Sequence, residues 1–338
     1  MQDTPLVSVI VVTLNNAALL KNCLASLSAQ SWPALEVIIV DNGSKEDIAG
    51  LVAKEFPRVK YLRFEENLGF AEGNNRGIAA SKGEFVALIN NDAVASPDWI
   101  KSLVEAAMAQ PRAGAVASVI IDGNDPAVLD SIGMGAALDG MARQMAKGQP
   151  VAGAIFPAEV LMASGCACLY RRAALDEVGL FDPDFFAYCE DSDLGLRLQM
   201  AGWRCLLAKN AVAHHYYSMT FGRFSMKKVY WVERNHFWVF LKNYPLILFP
   251  LLPLATAWRL FLQAFYLLRG NAATDGFKQN TSMRELAAVY IRAYVDMLRA
   301  IPKMLGKRMK NPRRLGMWSA TMLLHIHRLS TKQVLGIR

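Results

Sequence analysis

Residues 1–241 predict an α/β fold built on a mostly parallel, Rossmann-like central sheet. The residues after them predict a helical, membrane-associating C-terminal region. Three observations carry this. Short apolar runs alternate with amphipathic stretches through the first half of the 338-residue chain. Three of those runs end in polar, turn-forming residues: Thr13-Leu14-Asn15-Asn16, Asp41-Asn42-Gly43-Ser44 and Asn90-Asn91-Asp92. Charge is also split unevenly. From Lys242 to Arg338 there are 16 Lys/Arg against 3 Asp/Glu, a net +13, while the whole chain is +8, which leaves −5 for residues 1–241.

The strand-like runs are VSVIVVT (7–13), EVIIVD (36–41), VKYLRF (59–64), EFVALIN (84–90) and GAVASVII (114–121). Between them, 16–31, 46–56, 73–81 and 97–109 carry helical patterns. Such alternation builds a parallel sheet, whose ligands bind beyond the carboxyl ends of the strands. A second unit spans about 160–225. There LMASGCACLYRR reads as a strand, 171–178 as a short helix, EDSDLGLRL as the start of another helix and CLLA (205–208) as a short strand. The link 122–159 is rich in Gly, Ala and Met and follows no clear period. Five cysteines with no CxxC pair argue against a disulfide framework or zinc site, and for a reducing compartment. No basic region precedes the N-terminal apolar run, so that run is predicted as a strand and not a signal peptide.

Beyond residue 241 the character changes. YPLILFPLLPLATAWRLFLQAFYLL (244–268) is 25 residues with one charge, Arg259, and prolines at 245, 250 and 253 break its first half. A helix after Pro253 has about 15 residues, roughly 22 Å at 1.5 Å per residue. That is short of the ~30 Å hydrocarbon core, so a shallow, re-entrant or interfacial segment is predicted. The competing reading is a buried pair of core helices. KMLGKRMKNPRR (303–314) follows with six basic residues and no acid, the pattern of a patch drawn to anionic headgroups. The apolar segment beside it argues for a membrane surface and against nucleic acid.

Candidate chemistry lies at the strand ends and one helix start. Asp41 stands where a strand stops at Asn-Gly, either as a plain turn residue or as a ligand-facing one. NLGFAEGNNRG repeats glycine at 69, 73 and 77, one face of a helix. The repeat serves close packing, or a loop-to-helix entry where free N–H groups and Arg76 meet a phosphate. Asp92 closes LINND, where a carboxylate suits a divalent cation that in turn binds substrate phosphates. In FFAYCEDSDLGLRL, Glu190, Asp191 and Asp193 run straight into the helical pattern of Leu194 and Leu198. Helix caps account for one or two such acids. A carboxylate against apolar surface has a raised pKa and suits a general base. His214 and His215 adjoin hydroxyl residues and Arg223, and are open to metal, phosphate or purely structural roles.

The runs VSVIVVTLNN, IIVDNGSKED, NLGFAEGNNRG, LINNDA, SGCACLYRR, GLFDPDFFAYCEDSDLGLRLQMAGWRC and HHYYSMTFGRFS occur in one order. That order resembles the family 2 glycosyltransferases over about residues 5–245. The closing VERNHFWVFLKNYP is similar to the rhamnosyltransferase-type bacterial branch. The resemblance implies a GT-A nucleotide-diphospho-sugar transferase fold over 1–235, with a nucleotide-binding half (1–121) and an acceptor-binding half (122–235). Residues 236–338 would form the membrane-associated part. It implies an inverting, metal-dependent transfer from a nucleotide-diphospho-sugar donor to a glycan or lipid-linked acceptor of the cell envelope. The donor expected is dTDP-rhamnose, with UDP- and GDP-sugars as alternatives. The place expected is the cytoplasmic face of the bacterial inner membrane.

Carried over by position, Thr13, Asn15, Asp41, Asn67, Gly69 and Asn74 border the nucleotide, and Asn91 and Arg223 join the donor site. Asp92 matches the last residue of the DxD motif and would hold Mg2+ or Mn2+. Asn90 stands at the first position, so the site has one carboxylate fewer. Asp191 matches the base, with Glu190 as its orienting neighbour. His215, or His214, matches the late histidine near metal and diphosphate. Asp193 keeps a cap role, and the aromatics before it are expected to wall the acceptor site. A sugar-nucleotide pyrophosphorylase would carry a Gly-rich loop where this chain reads TLNNAALLKN. A non-catalytic membrane scaffold would have no use for Asp41, Asp92 and Asp191.

Overall fold

The structure is a computed structural model describing residues 4–217, 225–269 and 282–335. Its centre is strand β1 (Val7–Thr13), parallel to β2 (Leu35–Asn42) on one side and β4 (Phe85–Ile89) on the other, with β3 (Lys60–Phe64) outside β2. Alternate residues of β1 enter opposite layers. Val7, Val9 and Val11 pack with Leu20, Leu24 and Trp99, whereas Ile10 packs with Ile78, Leu175 and Leu194. A sheet buried on both faces needs no polar alternation, which is why these strands read as unbroken apolar runs. Helices α1 (Ala17–Ser28), α2 (Ile48–Glu55), α3 (Gly69–Ala79) and α4 (Trp99–Ala109) cover the two faces.

Four of the five predicted strands and all four predicted helices are present here, and the fifth strand is β6 below. The glycine repeat in α3 serves packing. A Cβ on Gly77 would stand 2.3 Å from Ile10 Cγ2, and one on Gly73 3.0 Å from Val12 Cγ1. Arg76 pairs with Glu72 of its own helix at 2.7 Å on an exposed face, and so is not the phosphate-facing group considered above.

Short strand β5 (Ala93–Ala95) follows the end of β4, and β6 (Ala113–Asp122) opens the second half of the sheet. Between β4 and β6 runs β11 (Ala167–Arg171), antiparallel to both, and β12 (Arg204–His215) lies parallel to β6. The segment without a clear period holds β7 (Leu129–Ser131), β8 (Met134–Ala136), β9 (Ala142–Gln144) and β10 (Glu159–Val160). They are too short for a period to register. CLLA proves to be the start of a 12-residue strand. Polar Lys209-Asn210 looks like a strand end in sequence, but marks a register shift between Ala208 and Val212, after which the strand continues to His215. Helices α5 (Arg172–Val178) and α6 (Glu190–Met200) complete the covering layer.

Helix α7 (Met226–Asn243) runs unbroken across residue 235 and joins the two parts of the chain. A 3-10 turn (Leu246–Leu251) leads into α8 (Leu252–Arg269), and helices Met283–Arg299, Ile301–Lys310, Met317–Ile326 and Thr331–Leu335 follow. Buried polar groups hold this region to the α/β body. Lys242 Nζ lies 2.8 Å from Asp193 and 2.6 Å from Asp182, and Asn243 Nδ2 donates to Asp193 Oδ1 at 2.9 Å. Asp193 is therefore not a helix cap. It is wholly buried and also pairs with Arg197 at 2.9 Å.

The basic run 303–314 differs from its sequence reading as well. Lys303 and Lys307 pair with Asp184 at 2.6 and 2.7 Å, and Arg314 with Glu177 at 2.9 Å. Arg308 donates to Leu241 O at 3.1 Å and Arg313 to Asn243 O at 3.3 Å and to Lys242 O, satisfying the carbonyls that end α7. Five of the six cations thus strap the C-terminal helices to the body instead of forming an open headgroup patch. The apolar segment is not a buried core pair either. Of its most apolar stretch 17% is buried, and Leu254, Trp258 and Phe261, one stripe of α8, are exposed.

Removing Lys242 should be costly, because Asp193 would remain buried and short of a partner. Lys242→Met is expected to lose about 3–5 kcal/mol in urea denaturation. Burial alone would raise Asp193, but Lys242 and Arg197, with hydrogen bonds from Lys242 and Asn243, hold it down at about 2. A depressed carboxyl stabilises the fold above its unfolded value of about 4 and loses that contribution as pH falls toward 2. Wild-type protein should therefore weaken across that acid window. The Lys242→Met protein should show a shallower acid dependence there.

Candidate active site

The carboxyl ends of the strands meet in one hydrogen-bonded band. Thr13, Asp41 and Arg63 are register partners across β1, β2 and β3. The Thr13 hydroxyl donates to Asn15 O at 3.0 Å and accepts from Asn91 Nδ2 at 2.9 Å, tying the end of β1 to that of β4. Asn15 and Asn16 take left-handed backbone, φ 60° and 61°, which asparagine tolerates better than most residues. Asn15 N donates to Ser44 Oγ at 2.7 Å, and its side-chain oxygen accepts from Lys45 N at 2.8 Å. Asp41 has no exposed surface. It accepts from Ser44 N at 2.8 Å, Tyr61 OH at 2.6 Å and Arg63 Nη1 at 3.0 Å, so here it organises the loop from within.

Asn67 Oδ1 accepts from Gly69 N at 2.9 Å and from Asn42 Nδ2 at 3.0 Å. Asn42 also accepts from Leu68 N and donates to Gly69 O. It pins the whole turn, and sequence reading passed over it as one more turn residue. Gly69 takes φ +82°, and a Cβ there would lie 2.4 Å from Phe186 O. Asn74 donates to Phe70 O at 2.8 Å and is 2% exposed, so its side chain serves α3 itself. Arg223 lies outside the described residues.

Asp92 and His215 meet at the junction of β5 and β12. His215 is the cross-strand partner of Ala93, and its Nε2 stands 3.3 Å from Asp92 Oδ1. Strand alternation turns the neighbouring His214 to the other face, so of the two histidines it is His215 that meets Asp92. His215 Nδ1 lies 3.0 Å from Asp130 Oδ2. Asp130, on β7, also bonds Lys147 and Tyr217. Burial works against charge on the His215 ring, but the nearby Cys166 sulfur and hydrogen bonds to Asp130 and Asp92 raise its pKa well above the ordinary value. Burial likewise works against the Asp130 charge, yet His215 and Lys147 hold its carboxyl near 2. Asp130 escaped sequence reading because a lone acid in VLDSIG, inside a segment without period, carries no signal.

The candidate base is linked to this band by one loop. Asn90 N donates to Cys166 O at 2.8 Å, and next to it Gly165 N donates to Asp191 Oδ2 at 3.1 Å. Ser192 N and Oγ reach Asp191 Oδ1 at 2.7 and 3.2 Å. Gly165 and Ser192, not Glu190, therefore orient Asp191. Burial raises the Asp191 pKa against these hydrogen bonds. Glu190 is 5% exposed, its Oε2 has no hydrogen-bond partner, and burial and then the Asp191 charge push its pKa well up. Both effects make Glu190 harder to ionise than an ordinary glutamate.

The aromatics divide. Phe185 is fully buried against Trp238 at 5.7 Å and belongs to the core, contrary to its expected place in an acceptor wall. Phe186 stacks on Trp231 of α7 at 5.0 Å, and Tyr188 lies 6.3 Å from the same ring, all three half-buried. The backbone here is strained. Phe186 sits at φ 64°, ψ −66°, with Ala187 N donating to Phe185 O at 2.8 Å, a γ-turn of the rare positive-φ kind. Tyr188 and Cys189 follow at φ 68° and 70°. Each such residue costs on the order of 1–3 kcal/mol.

A model of glycosyl transferase family 2 matches residues 8–179. The chain belongs to glycosyl transferase family 2. It is 32% identical over 253 residues to the N-acetylglucosaminyl-diphospho-decaprenol L-rhamnosyltransferase of Mycobacterium tuberculosis, covering 65% of this chain and 79% of that one. Its fold is similar to a mannosyltransferase from Pyrobaculum calidifontis in complex with GDP-Man and Mn2+, with TM-score 0.53, 20% identity, and 95% and 87% of the two chains covered. It is also similar to S. aureus TarS in complex with UDP-GlcNAc, with TM-score 0.57, 20% identity, and 89% and 82% covered. The protein is thus a glycosyltransferase with the GT-A-like α/β fold. The strand order β3-β2-β1-β4-β11-β6-β12, with β11 reversed, is the frame on which that site is built.

Gly69→Ala tests the join between the nucleotide-side turn and the base loop. The left-handed backbone costs alanine about 1–2 kcal/mol, before its methyl displaces the Phe186 carbonyl. Thermal unfolding should fall accordingly, and transfer activity should fall by more than the lost stability explains.

Proposed function

We propose that this glycosyltransferase moves rhamnose from dTDP-rhamnose to a hydroxyl of a lipid-diphosphate-linked glycan, with inversion, at the cytoplasmic face of a bacterial inner membrane. The observation that carries the catalytic part is Asp191. It is a carboxylate at the first turn of α6, raised in basicity by burial, and joined through the 164–166 loop to the strand end that holds Asp92. The rhamnosyl donor and the diphospho-polyprenyl acceptor rest on the likeness to the mycobacterial enzyme.

Asp191 removes the proton from the acceptor hydroxyl as its oxygen attacks the anomeric carbon. The bond from that carbon to the diphosphate oxygen breaks, and the nucleoside diphosphate leaves from the opposite face. Thr13, Asn15, Asp41, Asn67, Gly69 and Asn91 frame the nucleotide side, so both partners are held in line. Half-buried Phe186, Tyr188 and Trp231 offer an apolar and aromatic wall to the acceptor sugar.

Asp92 and His215 would hold a divalent cation that displaces the Nε2 proton Asp92 stabilises. Nε2 and Oδ1 stand 3.3 Å apart, and Asp130 holds the far ring nitrogen, as carboxylates do behind metal-bound histidines. Two protein ligands suffice where phosphate oxygens and water supply the rest, the usual habit of Mg2+ and a reasonable one for Mn2+. Bound there, the ion would neutralise charge gathering on the leaving diphosphate.

Membrane attachment is proposed as interfacial. Leu254, Trp258 and Phe261 of α8, and Trp318, Met322 and Ile326 of the helix Met317–Ile326, are exposed apolar groups with aromatic anchors. Arg259 faces inward instead, 2.9 Å from Glu233 and 2.6 Å from Asp139, and 4% exposed. A spanning α8 would have to strip Arg259 from both carboxylates and carry it into lipid, at about 2.5–3.5 kcal/mol for the arginine alone.

Two experiments test this. Turnover of dTDP-rhamnose, UDP-GlcNAc and GDP-Man with a synthetic GlcNAc-diphospho-polyprenol should single out the first donor. Asp191→Asn should lower kcat about 10²–10⁴-fold with donor KM little changed. Because the base must be ionised, wild-type rate should fall as pH drops through a pKa above the ordinary carboxylate value. Full turnover by Asp191→Asn would sink the assignment. In liposome sedimentation, Leu254→Glu/Trp258→Glu/Phe261→Glu should bind at least tenfold less than wild type, and equal binding would refute the interfacial face.

A further inference from the structure

We infer that Asn235 is a positioning residue for the base: its side-chain amide holds the strained turn that delivers Asp191. This rests on the proposed role of Asp191. Within the turn from Asp184 to Cys189, Ala187 N serves Phe185 O, but the γ-turn at Phe186 and the left-handed Tyr188 and Cys189 leave the carbonyls of 184, 186, 187 and 188 to be served from elsewhere. Buried carbonyls so placed need donors.

Those donors come from one turn of α7. Asn235 Nδ2 reaches Phe185 O at 3.0 Å, Ala187 O at 3.0 Å and Tyr188 O at 2.7 Å, and the residue is wholly buried. Two N–H groups serve three carbonyls, so the bonding is shared. The acceptor end of the same amide is used too, since Asn235 Oδ1 receives Arg234 Nε at 2.9 Å. Arg234 then donates to Asp184 O at 3.2 Å and Phe185 O at 3.3 Å, with its guanidinium 4.1 Å from the Trp238 ring centre. Phe186 O accepts from Ala71 N of α3 at 3.2 Å, and Cys189 O from Asp193 N at 3.0 Å.

The chemistry of the clamp is specific. An aspartate of the same shape would offer only acceptors to three acceptors. A hydrophobic residue would take the Asn235 donor from Ala187 O and Tyr188 O, while Phe185 O kept Ala187 N and Arg234 and the strained dihedrals kept their cost. Cys189, the residue before α6, would then relax out of its left-handed state. Asp191 stands two residues beyond and would leave its bond to Gly165.

The test uses the full-length Asn235→Ala protein and, should that fail to fold, the milder Asn235→Ser. Hydrogen exchange should speed at least tenfold in the peptide covering 183–193 and stay unchanged in the strands of the central sheet. With dTDP-rhamnose and GlcNAc-diphospho-polyprenol, kcat should drop at least tenfold and donor KM shift less than twofold. Adding Cys189→Gly should recover at least threefold of the lost kcat, because glycine adopts the left-handed backbone freely. Unchanged exchange in 183–193 would overturn the inference. So would a general loss of protection and donor binding that Cys189→Gly leaves untouched. Asp191→Asn is measured alongside. If it stays active, or wild type turns over none of the donor, the functional reading fails, and the exchange comparison still decides whether Asn235 holds the turn.

Discussion

The buried contact between Asp193 and Lys242 is the constraint from which much of this molecule follows. A carboxylate and an ammonium removed from water must be paired closely and bonded on every side, or the fold is lost. Here Arg197 and Asn243 complete the set around Asp193, and Asp182 shares Lys242. The pair fixes α6 against α7. Since α6 carries Asp191 in its first turn, the pair also fixes where the base stands. Since α7 leads into the C-terminal helices, it sets where the apolar segment emerges.

Crowding of acids in EDSD becomes intelligible in this frame. Three carboxylates within four residues meet three environments. Asp193 faces cations and is held strongly ionised. Asp191 faces backbone N–H groups and the open side of the site, buried enough to become more basic than usual. Glu190 is buried beside Asp191, and burial and then that charge drive its pKa well up. Had all three stayed charged, mutual repulsion would have worked against the fold. Different partners within a few ångströms turn one acidic cluster into a structural ion, a candidate base and a neighbour that resists ionisation.

The C-terminal region shows how composition can mislead. A net +13 suggests attraction to anionic lipid, yet much of the run 303–314 is spent on Asp184, Glu177 and the carbonyls that end α7. What remains on the outside is apolar: an exposed stripe of α8 and the helix Met317–Ile326. Glu233, two residues before Asn235, anchors Arg259 of α8. One stretch of α7 thus holds both the base loop and the helix proposed to meet the bilayer. An enzyme that takes a lipid-linked acceptor would benefit from keeping those two elements at a fixed distance.

The amino-acid sequence by itself determined the α/β class, the five leading strands and most of the helices. It also marked Asp41, Asp92, Asp191 and His215 as candidates. Periodicity and strand-end chemistry are local, and a sheet covered on both faces leaves little freedom in how they are read. Other matters lay beyond it. Asp130, Asn42 and Asn235 act through bonds to residues 85, 25 and about 50 positions away in the chain, and a lone Asp or Asn carries no mark of such a partner. Asp193 and the basic run 303–314 were misjudged for the same reason: an acid at a helix start and a row of cations look alike in sequence whether they face water or one another. Burial and pairing are properties of the folded chain, and only the tertiary structure could assign them.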